Sequence, residues 1–379
     1  MDSPTHDLRP QRSLPVSQLT SLRPVPNLCP PHTHLSTARS LTPPSWTDAF
    51  GVLNLLTLHH TTSLPHYLTY ARTLVSTVHS TLAYTRSGDA RLSGASDTHP
   101  LSGGLRIGKD NASGPDGDGQ YHHYLTLWMF ALNRLSLASS DKKYNDQAIE
   151  LAKAIHPAFV YDRDKPRPRM VWKMSVDLSR PLVRSEGNLD PVDGFVVFRL
   201  LQQTDGESSE ALKQEIEDYE KIVRAKWRGY GSQDPLDLGM TLWTAHWFAG
   251  EEWADGLLER ARRDLGELWD GGYFKAWMGR RLAFREFGTC LGMQCEIGGE
   301  EWETRARDIT QLWEKTGAVP RPKQESKEAG YNASDDLQPI NLVMYAAALN
   351  PGGTSNVSRT FVAVMESILS AQTVSTEVC

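Results

Sequence analysis

Asp190-Pro191-Val192-Asp193 reads as the start of a helix, and its pattern returns as Asp234-Pro235-Leu236-Asp237 and Gln338-Pro339-Ile340-Asn341. A polar residue, then Pro, then a carboxylate or amide two positions later is what a helix start asks for. It supplies a side-chain cap, a fixed φ in the first turn and negative charge at the positive end of the helix dipole. The second copy lies 44 positions after the first and the third 104 after the second. That interval leaves room for one degenerate unit near Phe284-Arg285-Glu286-Phe287-Gly288, and Asp118-Gly119-Gln120-Tyr121 is an earlier relative.

The segments that follow these starts, Tyr124 to Leu135, Phe195 to Leu201, Leu238 to Phe248 and Leu342 to Leu349, carry few charges and no polar stripe. Helices of that kind are buried all round. Between them, Ser208 to Ala225 and Ala254 to Trp269 place apolar residues at helical spacing on one face only, which marks surface helices. Alternation of the two kinds at a fixed period implies an inner and an outer layer, one hairpin per unit. Five or six hairpins fit between Thr47 and Cys379. The expected fold is all-α, a closed (α/α)6 toroid favoured over an open solenoid, whose inner helices would expose a polar concave face.

At 379 residues, with 39% hydrophobic content and a net charge of −6, the chain can bury a large core and has no bias toward nucleic acid or anionic membrane. The first 46 residues hold nine of the 22 prolines and no apolar periodicity, so residues 1–45 are expected to be disordered and 46–379 to form one domain. Arg9, Arg12, Arg23 and Arg39 make an organelle transit peptide conceivable, but Asp2, Asp7 and the prolines oppose an amphipathic helix. No secretory signal or stretch of eighteen apolar residues is seen, so a cytoplasmic protein is expected. Of four cysteines, Cys29 and Cys379 lie at the ends, and Cys290 and Cys295 share one expected inner helix, five residues apart and on different sides of it. Free thiols are expected there. Sequons at Asn111, Asn332 and Asn356 arise by chance in a chain of this length.

In a closed toroid the inner helices run parallel, so their N-termini gather at one end as a funnel lined by Asp118, Asp190, Asp193, Asp234, Asp237, Glu286 and Asn341. Two carboxylates across such a funnel can serve as acid and base on a glycosidic bond. Within each pair the residue before Pro is the better cap, leaving Asp193 and Asp237 to face the cavity. Met170 to Val183 reads as an extended connection in which Trp172, Lys173, Asp177 and Arg180 combine an aromatic face with charges, as sugar sites do. Gly103-Gly104-Leu105-Arg106-Ile107-Gly108-Lys109 is either a tight structural loop or an anion cradle. It lacks the spacing of a P-loop. His122 and His123 are adjacent and about 100° apart on their helix, with no i+4 partner for a metal, so no metal or cofactor is expected. Aromatics such as Tyr121, Trp172 and Trp243 either line a cleft or fill a core.

The hairpin repeat, the Asp118-to-Tyr121 helix start, Trp172 to Arg180 and the two Asp-Pro-x-Asp starts together resemble the six-hairpin glycosidase superfamily. The resemblance covers about Thr47 to Cys379, and it is one of architecture. The chain is also similar to uncharacterised bacterial and fungal members with a Gly-Gly-Leu-Arg-Ile-Gly-Lys stretch ahead of an Asp-Gly-Gln-Tyr helix. The resemblance implies an (α/α)6 toroid acting on a glycosidic bond or sugar ring, with a small-molecule or oligosaccharide substrate. No diagnostic catalytic motif of one family is present, so the pair is chosen from the residues themselves. Glu286 and Asp193 are favoured, with Asp118 and Asp237 in reserve. Arg106, Lys109, Tyr121, His122, Trp172, Lys173, Asp177, Arg180, Asp190, Trp243 and Arg285 would position substrate. The alternatives are a non-catalytic toroid that binds a ligand or a protein, and a terpenoid cyclase or prenyltransferase relative. Against the last, there is no Asp-x-Asp-Asp motif and no zinc-spaced Asp/Cys/His set.

Overall fold

The signatures at Asp190, Asp234 and Gln338 open helices, whereas in the earlier relative Gln120–Tyr121 form a short strand and the helix begins only at His122. The structure, a computed structural model, describes residues 44–112, 114, 117–295, 299–319, 337–351 and 365. The expectations for residues 1–43, including Cys29, and for Asn332, Asn356 and Cys379 lie outside the described residues. Those residues form eleven α-helices. In chain order they are α1 (Pro44–Thr62), α2 (Pro65–Leu82), α3 (His122–Ser139), α4 (Lys143–Phe159), α5 (Asp190–Asp205), α6 (Lys213–Lys226), α7 (Pro235–Ala245), α8 (Glu252–Asp270), α9 (Ala283–Cys295), α10 (Glu300–Thr316) and α11 (Gln338–Leu349). The all-α expectation holds. Four two-residue strands, β1 (Gln120–Tyr121), β2 (Val160–Tyr161), β3 (Arg169–Met170) and β4 (Lys173–Met174), pair antiparallel as β1 with β4 and β2 with β3. The stretch read as extended from Met170 onward thus supplies β4 and the end of β3.

Burial separates the two kinds of helix. Along α3 nearly every residue from Leu125 to Ser136 is buried, whereas α6 buries only Asp218, Tyr219, Ile222 and Val223, and α10 only Ala306, Ile309, Thr310 and Trp313. Spacings of three and four keep those residues on one stripe. Each odd-numbered helix from α1 to α9 packs against the even-numbered helix that follows it. The odd-numbered helices also pack on one another, in the pairs α1–α3, α3–α5, α5–α7, α7–α9, α9–α11 and α11–α1.

The inner pairs run parallel, as shown by contacts that advance together along both helices. His122 and Asp190 meet in the first turns of α3 and α5, and Asn133 Nδ2 donates to Thr204 Oγ1 (2.8 Å) near their ends. The Phe284 backbone N–H donates to Asn341 Oδ1 (3.0 Å) where α9 and α11 begin, and Gln294 Nε2 to the Ala348 carbonyl (2.6 Å) where they finish. Parallel packing brings the signature residues to one end. Further along the helices, Phe130 of α3 and Phe50 of α1 both meet Trp243 of α7, with ring centroids 4.9 and 6.0 Å apart. Trp243 thus packs between these helices while staying half-buried. After Ala245 the chain tightens into a 3₁₀ turn, His246–Phe248, so the inner helix is shorter than its apolar run.

The closest approach is between α7 and α9. A Cβ on Gly292 would lie 2.0 Å from the Gly239 carbonyl oxygen, and one on Gly239 2.4 Å from the Gly288 carbonyl oxygen. Both obstacles are backbone and cannot swing aside. Gly292→Ala should therefore cost about 3 kcal/mol or more in urea unfolding. Gly266→Ala, on α8 where nothing lies within 4 Å of the added Cβ, should instead stabilise by roughly 0.5–1 kcal/mol.

Candidate active site at the helix N-termini

The three helix starts behave differently although their sequences match. In α7, Asp234 is the cap, its Oδ1 accepting from the backbone N–H groups of Leu236 (2.9 Å) and Asp237 (3.2 Å). The cap positions of α5 and α11 are taken by Leu189 and Leu337, with no side-chain cap. Asp190, expected as a cap, is displaced into the first turn and faces α3. Its Oδ1 lies 3.5 Å from His122 Nδ1 and 3.8 Å from His123 Nδ1. Both adjacent histidines reach one carboxylate because Asp190 lies between them. His122 is fully buried and His123 half-buried.

Asp193 follows one turn later on α5. Its Oδ1 accepts from Thr244 Oγ1 of α7 at 3.0 Å. Asp237, in the first turn of α7, accepts at Oδ2 from Asn188 Nδ2 (2.7 Å) and from the Tyr230 hydroxyl (3.0 Å). The three carboxyls fare differently. Burial works against the charge on Asp190, but the two imidazoles beside it outweigh burial and hold this carboxyl below the usual range. Burial, reinforced by the negative charges of Asp190 and Asp237, pushes Asp193 well above that range, and the Thr244 bond offsets only part of this. Burial also raises Asp237, against opposing bonds from Ser232, Asn188 and Tyr230. An ionised carboxylate next to a protonated one is the arrangement in which acid and base roles separate.

Aromatic side chains flank Asp190 on the α3 side. Tyr121 stacks on Tyr124 at 5.3 Å and meets Trp172 edge-on at 5.3 Å, while His123 lies edge-on to Tyr124 at 4.3 Å. Trp172 is fixed by donating from Nε1 to Ser185 Oγ (2.8 Å). The Lys173 and Lys109 ammonium groups lie 4.8 and 5.8 Å from the Tyr121 ring centroid. Lys173, expected to meet substrate, is buried. Tyr124, Trp172 and His123 remain half-buried and present faces that a sugar ring can use.

Other expected site residues are spent on the fold. Glu286, expected in the funnel beside Asp193, is fully buried: Arg281 donates to both its oxygens (2.7 and 2.6 Å) and Trp313 Nε1 donates to Oε2 (2.8 Å). Trp313 belongs to α10, so this carboxylate joins α9 to its outer helix. Asp118 is likewise enclosed, accepting from Arg86 (3.1 Å), Arg106 (3.2 Å) and the backbone N–H groups of Gly108 (2.9 Å) and Gly119 (3.0 Å). The glycine-rich Gly103-to-Lys109 loop does hold an anion, namely the protein's own Asp118. Arg106 is used up there, its remaining nitrogens donating to the Tyr84 and Thr81 carbonyls. Arg285 pairs with Asp234 and ties the α9 start to the α7 cap. Asp177 and Arg180 are exposed in the turn after β4, where Asp177 accepts from Ser175 and Ser179.

Asn188, Tyr219, Tyr230 and Thr244 complete the cluster and were not singled out in the sequence. Tyr219 occupies an apolar position of a one-sided helix, and only its hydroxyl distinguishes it from a core residue. Asp48, in the first turns of α1, is a further carboxyl that burial alone pushes up, to about 7. Among the described residues no cluster of His, Cys, Asp and Glu is arranged to hold a metal ion, and no helix is long and apolar enough to cross a membrane. Cys290 and Cys295 are free thiols.

Glu286→Gln leaves Arg281 buried without its counter-charge and should cost about 3–5 kcal/mol by chemical denaturation. The two α5 carboxyls should act oppositely on stability. Asp193 has a raised pKa in the folded state, so its contribution is full at acid pH and is lost as pH climbs through that raised value. Asp193→Asn should then raise Tm at pH 8 by roughly 2 °C or more and leave it unchanged at pH 4. Asp190 has a depressed pKa, so it stabilises above the ordinary carboxylate range and loses that contribution on acidification. Asp190→Asn should lower Tm at pH 7, with a gap that starts to narrow only below about pH 4. A differential scanning calorimetry series in pH reads both. No family model, curated protein or solved structure matches this chain, so no relative lends the cluster a function.

Proposed function

We propose that the chain is an (α/α)6 toroid of the six-hairpin glycosidase type, acting on a glycosidic bond or sugar ring with acid/base carboxyls at the N-terminal mouth of its inner helices. The parallel inner helices and their pairing from α1 round to α11 and back to α1 support the toroid. The observation that carries the chemistry is the unequal pair on α5: Asp190, 3.5 and 3.8 Å from two histidines and held below the usual carboxylate range, with Asp193 one turn away and held well above it.

Asp193 is the proton donor in this scheme. It protonates the leaving oxygen as the glycosidic bond breaks, and Asp237, less strongly raised and facing it from α7, takes the proton from attacking water. Asp190 keeps the proton on Asp193 by repulsion. This replaces the Glu286–Asp193 pair, because the Arg281 and Trp313 bonds leave the Glu286 oxygens no room for substrate. Tyr124 and Trp172 offer apolar faces to the sugar ring.

A panel of aryl glycosides, unsaturated uronides and oligosaccharides tests the proposal. The active substrate should show a rate that falls as pH rises through the Asp193 ionisation. Asp193→Asn should lower kcat by about 10²–10⁴ while unfolding cooperatively. A panel without turnover, or full activity in Asp193→Asn, would sink the assignment.

A further inference from the structure

Tyr219 belongs to the outer helix α6, yet it is fully buried and its hydroxyl lies 2.6 Å from His122 Nε2. Its ring packs edge-on against His156 of α4 and Phe198 of α5, each with centroids 5.2 Å away. On α5, Asp190, Gly194 and Phe198 are four residues apart and share one face. Tyr219 covers that face, since a Cβ on Gly194 would lie 2.5 Å from its ring. Glycine inside a helix costs about 1 kcal/mol relative to alanine, and at Gly194 the cost makes room for the tyrosine.

The direction of the proton follows from what each atom can do. His122 Nδ1 and Asp190 Oδ1 are both buried, 3.5 Å apart, and neither has a hydrogen-bond partner. An ionised carboxylate only accepts. If Nε2 carried the imidazole proton, the Nδ1 lone pair would face Asp190, leaving two buried acceptors opposed. If the Tyr219 O–H donates to Nε2, then Nδ1 carries the proton and points it at Asp190. Of the two neutral tautomers, only the second turns a donor rather than a lone pair toward Asp190.

We propose that Tyr219, His122 and Asp190 form a buried relay, Tyr219 donating to His122 Nε2 and His122 Nδ1–H facing Asp190, which makes Tyr219 a positioning residue for the acid/base carboxyls; its functional part rests on Asp193 being the proton donor. The surroundings of the relay are specific. Asp190 meets His122 and His123 from α3 and Tyr219 from α6. Asp193 meets Asp190 on its own helix, and Asp237 and Thr244 from α7. The Tyr219 hydroxyl also feels Asp218 and Glu215 on its own helix, and His156 of α4 has its Nε2 3.8 Å from Asp218 Oδ2.

Two measurements on the ligand-free full chain decide it. Imidazole ¹⁵N shifts should give a protonated Nδ1 and a bare Nε2 for His122 near neutral pH in the wild type. Tyr219→Phe keeps the ring and removes only the hydroxyl, so it should retain far-UV circular dichroism and cooperative unfolding while releasing the tautomer. With the Nδ1 proton no longer held toward it, Asp190 loses a donor that favours its charge, so the Asp190 ¹³Cγ titration midpoint should rise by about 1 pH unit. A proton on Nε2 in the wild type overturns the relay, as does a Tyr219→Phe protein whose Asp190 midpoint stays put. If Tyr219→Phe fails to fold, the wild-type tautomer decides alone. Neither readout uses a substrate, so the relay can stand where the glycoside panel fails, and can fail where Asp193→Asn still abolishes turnover.

Discussion

A helix without a polar stripe has to be covered on every side, and the inner helices of this protein are of that kind. A neighbour must lie on each flank and another behind, which is how α3 comes to pack on α1, α4 and α5, and α9 on α7, α10 and α11. Each fully buried Leu, Phe or Val contributes about 1.5–3 kcal/mol to this arrangement. The glycines of α7 and α9 let two backbones meet where side chains would hold them apart. Polar groups are thereby driven to the helix ends. In Asn133, whose amide donates to Asn145 and Thr204, a buried side chain is tolerated because both partners are within 2.8 Å.

The carboxyls at the N-terminal ends divide into two groups by the partners they find. Asp118 and Glu286 are saturated by arginine and backbone or indole donors, and a carboxylate so bound is an anchor for the loops and helices around it. Among the described residues the donors to Asp193 and Asp237 are neutral, a threonine for one and a serine, an asparagine and a tyrosine for the other. Such bonds repay only part of the loss of water around a charge, so burial raises both carboxyls, Asp193 well above the usual range and Asp237 less far. Asp190 lies between these cases, faced by two imidazoles rather than by an arginine.

The outer layer reaches the same cluster through Tyr219. A residue on α6 touches His122 of α3 across α5 only because position 194 has no side chain, which joins one sequence choice on an inner helix to a hydroxyl on an outer one. Loss of that hydroxyl alters an ionisation balance without altering the packing stripe in which Tyr219 lies, so stability and protonation are separable at this position.

The sequence by itself determined the two-layer alternation, the helix starts at Asp190, Asp234 and Gln338, and the helix near Phe284, because periodicity and capping chemistry are local properties of the chain. It also supplied Asp190, Asp193 and Asp237 as carboxyls of one cluster, since parallel helices with matched starts bring them together. Only the tertiary structure decided which carboxyls are free of arginine. Arg281 lies five residues before Glu286 and Arg106 twelve before Asp118, intervals that no helical or strand register turns into a contact. The exchange of roles at Asp190, from expected cap to partner of two histidines, was equally hidden, because it depends on a helix 68 residues earlier in the chain lying beside α5 at that depth. Charge state inside a protein is set by neighbours in space and by exclusion of water, and neither is written in the spacing of residues along the chain.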